Sequence, residues 1–245
     1  EFEAGSNLTT IGKRAFQNNR TLTGTLTIPA SVETIDSSAF DNCYYLTGLE
    51  FEAGSKLKKI GIWAFFYTGI QGTITIPASV EDIGLNAFSG CRSITSLEFE
   101  AGSKLNTIGD HAFSYSGLVE TIEIPETFTT IGSYILEGCY KLNKIILEGD
   151  TELIGTNLTN LVNTIKQVAD GGDTSRTICI VGSGSRAKEV VKKVNEKGPK
   201  STVVRCTSDG TIIKTTTTPR PTTTTPRPTT TTPRPTTTTP RPTTT

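Results

Sequence analysis

Short apolar-polar-apolar triplets recur at a regular interval through the first 150 residues. They are Leu26-Thr27-Ile28, Leu49-Glu50-Phe51, Ile74-Thr75-Ile76, Leu97-Glu98-Phe99, Ile122-Glu123-Ile124 and Ile145-Ile146-Leu147, starting 23 or 25 residues apart. Period-two alternation predicts β-strands whose outer residues point inward and whose middle residue faces solvent. The constant spacing predicts that the strands stack in register as one parallel sheet. Between triplets runs a second apolar phrase, Leu-x-x-Ile-Gly-x-x-Ala-Phe, at Leu8 to Phe16, Leu57 to Phe65 and Leu105 to Phe113. It alternates with Ile-Pro-x-x-x-x-x-Ile, at Ile28 to Ile35, Ile76 to Ile83 and Ile124 to Ile131. A large side chain closes each unit, at positions 16, 40, 65, 88, 113 and 136. Repeats of about 24 residues that each add one strand form a solenoid, one coil per unit. Pro29, Pro77 and Pro125 lack an N–H and are expected to close their strands. Gly12, Gly61, Gly84, Gly109 and Gly132 are expected to permit a tight turn on the far side of each coil.

Residues 151–214 break the period. Helical spacing appears over Asn160 to Ala169 and again over Arg186 to Asn195, where Lys197-Gly198-Pro199 supplies a stop. Thr177 to Val181 and Ser201 to Arg205 read as strands. The predicted fold is therefore a β-dominated α/β-type solenoid of about six coils over 1–150, closed by a small α/β cap over 151–214. Residues 215–245 contain only 19 Thr, 8 Pro and 4 Arg, as heptads of Thr-Thr-Thr-Thr-Pro-Arg-Pro. That composition buries too little apolar surface to offset the entropy of ordering, so a disordered stalk is expected there. Dense Thr with Pro also fits O-glycosylated stalks.

The phrases that carry the repeat resemble a known family. Ile28-Pro29-Ala30-Ser31-Val32, Ile35, Ala39-Phe40, Cys43 and Leu46 follow the BspA-type (Treponema-type) leucine-rich repeat, and the match extends over roughly residues 1–150. The resemblance implies a curved solenoid on extracellular or cell-surface proteins, with adhesion to host, matrix or other cell-surface proteins. The sixth coil departs, with Ile135-Leu136 in place of Ala-Phe and Thr127-Phe128 in place of Ser-Val, as suits the edge of an array.

Charge sharpens the picture. The chain is formally neutral, but the stalk holds four Arg and no acid, leaving 20 Lys and Arg against 24 Asp and Glu in 1–214. An acidic body lacks the basic face of a nucleic-acid binder. No apolar run reaches the length of a membrane span, so no membrane insertion by this segment is expected. Methionine is absent and Glu1 falls inside a repeat, which reads as a piece of a longer chain. A monomeric solenoid is expected.

Candidate chemistry is sparse. Cys43, Cys91 and Cys139 recur every 48 residues, two coils apart, about 10 Å and beyond disulfide reach, so they read as small buried side chains. Cys179 and Cys206 fall in the two cap strands, where they meet if the compartment is oxidising; sequence leaves the bond open. Val181-Gly182-Ser183-Gly184-Ser185 lacks the third glycine of a dinucleotide fingerprint and is explained by a Ser N-cap. His111 is the only histidine and stands at a variable coil position equivalent to Trp63 and Arg14. No residue set supports catalysis, a cofactor or a metal. Asn7, Asn19 and Asn157 begin Asn-x-Thr sequons. Two surfaces are candidates for binding. Glu50, Glu98 and Glu123 occupy the solvent-facing column of the triplets, an acidic face that suits a basic patch or simply keeps the sheet solvated. Trp63, Phe66, Tyr67 and Tyr115 lie where other coils are mostly polar, either as exposed anchors or folded inward over the core. The function these readings favour is a non-enzymatic protein-binding adhesion module; the alternative is a structural or immune-decoy coat protein with no specific partner.

Overall fold

The computed structural model describes residues 2–3, 5–125, 127, 129–147, 155–171, 177–182, 185–199, 202–207 and 211–212. The expected stalk at 215–245 lies outside the described residues. Each coil contributes one dipeptide strand and one longer strand. The dipeptides are β1 (Thr10–Ile11), β3 (Thr34–Ile35), β5 (Lys59–Ile60), β7 (Asp82–Ile83), β9 (Thr107–Ile108) and β11 (Thr130–Ile131). The longer strands are β2 (Gly24–Ile28), β4 (Leu46–Phe51), β6 (Gln71–Ile76), β8 (Ser93–Phe99), β10 (Val119–Ile124) and β12 (Lys141–Leu147).

The continuous sheet is the one made of dipeptides, in the order β1-β3-β5-β7-β9-β11. Its isoleucines stack one above another, Ile11 on Ile35 on Ile60, and all point inward. The longer strands instead pair two by two, which corrects the expectation of a single sheet. Leu26-Thr27-Ile28 faces Leu49-Glu50-Phe51, and Ile74-Thr75-Ile76 faces Leu97-Glu98-Phe99, both in the predicted register. The pairs β4/β6 and β8/β10 are not joined by a ladder. Each of the three pairs, β2/β4, β6/β8 and β10/β12, carries a register shift near its start, between Gly24 and Thr25, Gly72 and Thr73, and Glu120 and Thr121. The strands end at Ile28, Ile76 and Ile124, each immediately before its proline.

Phenylalanine fills the interior. Phe16, Phe40, Phe65, Phe88 and Phe113 form one stacked file, with neighbouring centroids 5.1 to 5.4 Å apart and ring planes within 8° of parallel. That spacing is the coil rise itself, so an invariant large ring at one coil position makes the file automatically. The three recurring cysteines are buried and unbonded. Each thiol donates to the carbonyl of a phenylalanine one coil back: Cys43 to Phe16 at 3.0 Å, Cys91 to Phe65 at 3.0 Å, Cys139 to Phe113 at 3.3 Å. A cysteine therefore fills a small apolar space and adds a weak donor to a carbonyl that Asn19, Thr68 or Ser116 already bonds.

The glycines after the dipeptides serve a different purpose from the turn expected of them, and none has a positive φ. A Cβ on Gly84 would stand 2.8 Å from main-chain atoms of Gly61 and Ile62, and one on Gly61 2.7 Å from Asp36. Glycine is required there because successive coils approach backbone to backbone. Gly12, in the first coil, has nothing within 4 Å of that direction.

The cap comprises α1 (Gly155–Asp170), β13 (Thr177–Val181), α2 (Ser185–Glu196) and β14 (Thr202–Cys206). β13 and β14 continue the sheet beyond β12, giving parallel order β10-β12-β13-β14. Helix α1 covers the end of the dipeptide sheet: Asn157 Oδ1 accepts from Ile131 N–H at 3.0 Å, and Asn160 Nδ2 donates to Ile131 carbonyl at 2.8 Å. Two side-chain amides thus replace the next coil and satisfy a backbone edge that would otherwise be open. Asn157 Nδ2 donates to Thr129 carbonyl, so the amide of this candidate sequon is engaged in the cap. Residues 1–214 cluster as one compact unit, the cap strands being an extension of the coil sheet.

Candidate functional site

Between each dipeptide strand and the next longer strand, the chain turns through a segment with two left-handed residues. Arg14 and Asn18, Ser38 and Asn42, Trp63 and Tyr67, Asn86 and Gly90, His111 and Tyr115, Tyr134 and Gly138 all have positive φ, between 50° and 79°. This segment aims three N–H groups per coil at the next coil. Trp63, Phe65 and Tyr67 donate to Leu85, Ala87 and Ser89 carbonyls at 2.9, 2.8 and 3.0 Å. His111, Phe113 and Tyr115 repeat the pattern onto Ser133, Ile135 and Glu137. From the second coil to the fifth, alanine and phenylalanine in this segment are buried, while the left-handed side chains range from buried Ser38 to exposed Trp63, Tyr67, Tyr115 and Tyr134.

The aromatics among the left-handed positions lie at the solvent edge of their coils. Trp63 is 43% exposed, Tyr67 39% and Tyr115 48%. Phe66 is half-buried, its ring edge-on to Tyr67 at 4.5 Å. Trp63, Tyr67 and Tyr115 are thus the exposed side chains of this set, and Phe66 packs against Tyr67. The structure adds Tyr44, Tyr134 and Tyr140, all exposed, which sequence inspection passed over. The signal for Tyr134 was available: it stands one coil period after His111.

Left-handed backbone is inexpensive for glycine and tolerable for asparagine, but costs other L-residues about 1–2 kcal/mol. Most coils place Asn or Gly at one position of the pair, whereas coil three has Trp63 with Tyr67 and coil five His111 with Tyr115. Two of the tyrosines also lie flat. A Cβ added to Gly90 would stand 3.0 to 3.1 Å from Tyr67 ring atoms, and one on Gly138 2.6 to 3.0 Å from Tyr115. Each ring thus rests on the bare backbone of the next coil. Around Tyr115, Glu137 accepts from its hydroxyl at 3.2 Å and pairs with His111 Nδ1 at 3.1 Å. His111 leans on Tyr134 at 5.3 Å. The negative charge of Glu137, with smaller contributions from Tyr140 and Tyr67, holds the Tyr115 hydroxyl above its ordinary pKa.

The acidic column is a separate surface, on the strand face. Glu50, Glu98 and Glu123 are exposed, and in the ladders Glu50 lies opposite Thr27 and Glu98 opposite Thr75, which keeps like charges apart within a pair. Glu98, Glu100 and Glu123 line an open cleft of about 570 Å³ where β8 and β10 part. Glu52 and Glu100 accept from Ala30 and Ala78 N–H at 2.8 and 2.9 Å, satisfying the main chain just past each proline. These two glutamates are fastenings of the fold.

The remaining candidates fall apart from both surfaces. Cys179 and Cys206 form a disulfide across β13 and β14, Cα atoms 5.5 Å apart. Burial pushes the Cys91 and Cys139 thiols up to about 11, so neither is a nucleophile near neutral pH. Asn7 is exposed, and Asn19 engages Thr21 and Leu22 through its Oδ1. Among the described residues no three His, Cys, Asp or Glu side chains are placed to hold a metal ion, and no helix is long and apolar enough to cross a membrane.

The model of the BspA type leucine rich repeat region matches residues 1–95 and 58–169, with six copies. Among solved structures, the pneumococcal vaccine antigen PcpA is similar at 30% identity and a TM-score of 0.53, over 58% of this chain and 36% of that one. A leucine rich cell surface protein from Faecalibacterium prausnitzii is 26% identical over 56% of this chain and 42% of that one, with a TM-score of 0.42. The leucine rich repeat protein of T. pallidum is 18% identical over 73% of this chain and 92% of that one, with a TM-score of 0.33. The chain thus spans well under half the length of the first two. No curated protein matches it.

Proposed function

The chain belongs to the BspA-type leucine-rich repeat family, and from that premise we propose that it is a non-enzymatic binding module, displayed outside the cell, that adheres to a host, matrix or other cell-surface protein. The observation that carries this reading is the aromatic edge. Trp63, Tyr67 and Tyr115 occupy left-handed positions that stability alone would give to Asn or Gly, and they remain exposed there. Exposed, rigidly held Trp and Tyr are the usual anchors of protein interfaces. Strain retained on a solvent edge is explained by contact with something outside the molecule. The acidic column of Glu50, Glu98 and Glu123 lies on a neighbouring face, suited to steering a basic surface rather than to holding it. In this reading the Thr/Pro segment 215–245 is the stalk, Asn7 and Asn19 are the sequons open to modification, and the Cys179–Cys206 bond stabilises the cap in an oxidising compartment.

Direct binding of the full chain to immobilised matrix and surface proteins tests it. Trp63→Ala with Tyr67→Ala is expected to weaken the interaction at least tenfold while the protein stays folded. Glu50→Lys with Glu98→Lys is expected to slow association and flatten its salt dependence. Unchanged binding at low salt in both pairs would show that neither surface is the site, and no binding to any of these proteins would leave the coat-protein reading.

A further inference from the structure

We propose that the aromatic edge holds an extended proline-rich segment of the partner, in polyproline-II conformation, with a basic residue seated beside Glu137. The inference rests on the edge being the contact surface and narrows what is held there.

Three observations select this occupant. The first is ring attitude. The rings of Tyr67 and Tyr115 rest against the main chain at Gly90 and Gly138, and both side chains stay partly exposed, Tyr67 with Phe66 at right angles beside it. A flat ring cannot insert into a partner's pocket as a projecting anchor does. It accepts a flat apolar face laid on it, and a pyrrolidine ring supplies one.

The second is spacing. Tyr67 and Tyr115 occupy the same position two coils apart, about 10 Å along the axis at the spacing of stacked strands. A polyproline-II helix presents the same face every three residues, which at ~3.1 Å per residue is about 9.3 Å. Prolines at i and i+3 therefore reach both platforms with a mismatch of under about 1 Å. Trp63 and His111 form a second file at the same interval, four residues upstream of each tyrosine.

The third is charge. Glu137 stands at the coil-six end of the platforms, bonded to the Tyr115 hydroxyl and to His111, within a body whose acids outnumber its bases. A lysine or arginine next to the prolines finds its counter-ion there. The shallow edge also demands a ligand that loses little entropy on docking, and polyproline II is already extended before it binds.

Titration of the full chain with an arginine-flanked oligoproline peptide, followed by the fluorescence of Trp63 as the only tryptophan, tests the inference. A Gly/Ser peptide with the same arginines and the neutral sugar chitohexaose serve as comparison probes. The oligoproline is expected to bind at least tenfold more tightly than the Gly/Ser peptide. Tyr67→Asn and Tyr115→Asn, which keep a residue suited to left-handed backbone, are each expected to cost at least fivefold, and Glu137→Gln to remove the benefit of the arginines. Oligoproline binding no better than Gly/Ser overturns the inference, as does tyrosine-dependent binding of chitohexaose alone. A surface protein that binds through Trp63 and Tyr67 yet is not displaced by oligoproline overturns the inference and leaves the binding-module reading standing. Loss of both overturns both.

Discussion

Replacing Tyr67 by glycine is expected to leave a more stable protein than replacing it by alanine, the reverse of the order at ordinary positions. Either change removes the ring and its contacts with Phe66 and Gly90 equally, so the comparison isolates the backbone. Tyr67 has φ 50° and is fixed there by its N–H bond to Ser89 carbonyl. Alanine in that conformation costs about 1–2 kcal/mol, and glycine pays nothing for handedness. Against this, glycine carries about 0.5–1 kcal/mol of extra unfolded-state freedom. The balance favours glycine by roughly 0.5–1 kcal/mol from these two principles. Asparagine is expected to match or exceed glycine, having the left-handed tolerance without the added freedom. The chain already makes this choice at the equivalent positions Asn18, Asn42, Gly90 and Gly138. Thr75, the exposed middle of β6, is the control: there glycine is expected to fall below alanine by about 0.5–1 kcal/mol. Urea denaturation with unchanged slope measures the differences, and thermal melts read them as about 2–4 °C per kcal/mol at this size. Alanine at 67 equalling or surpassing both glycine and asparagine would refute the reasoning, because the aromatics would then sit there without strain to explain.

Further expectations concern the interior. Phe88→Ala, in the middle of the ring file and fully buried, is expected to cost about 3–5 kcal/mol, and Phe16→Ala clearly less, since it is half-buried near the end of the file. Gly84→Ala drives a Cβ into the main chain of the preceding coil and is expected to lower the melting temperature markedly; Gly12→Ala, with open space, is expected to leave it unchanged. Cys91 and Cys139 are expected to resist iodoacetamide at pH 8 in the folded protein and to react at once in denaturant. Burial raises both from the ordinary 9.0 to about 11, so their contribution to stability is complete below pH 9 and is lost as pH climbs from 9 toward 11. Rapid alkylation of native protein would show that these thiols are accessible.

Much of this was legible in the residues. The triplet strands, their register within a pair and the prolines that end them follow from local rules: alternation decides which side chains are buried, and proline withholds a hydrogen bond. The cap helices appear with ends a few residues beyond their periodic cores, α1 starting at Gly155 rather than Asn160, because capping residues lie outside the apolar pattern. Of the candidate site, Trp63, Tyr67 and Tyr115 were visible as aromatics at variable positions. Their exposure was not, because it depends on how each left-handed residue meets the next coil, and φ has no one-letter code. Tyr134, also left-handed, was passed over for the same reason.

What the sequence determined by itself is whatever repeats: the coil count, the identity of the inward residues and the phenylalanine file, since a fixed period at a fixed rise superimposes like on like. What only the tertiary structure decided is what happens between coils. Close approach of main chains turned Gly61 and Gly84 from turn residues into clearance. The need to satisfy an open sheet edge gave the side-chain amide of Asn157 a place in the cap. Three N–H groups reaching for the next coil set the left-handed positions that carry Trp63, Tyr67 and Tyr115 outward. Each of these depends on a neighbour some 22 to 28 residues away, and pairwise distance at that separation exists only once the chain has wound.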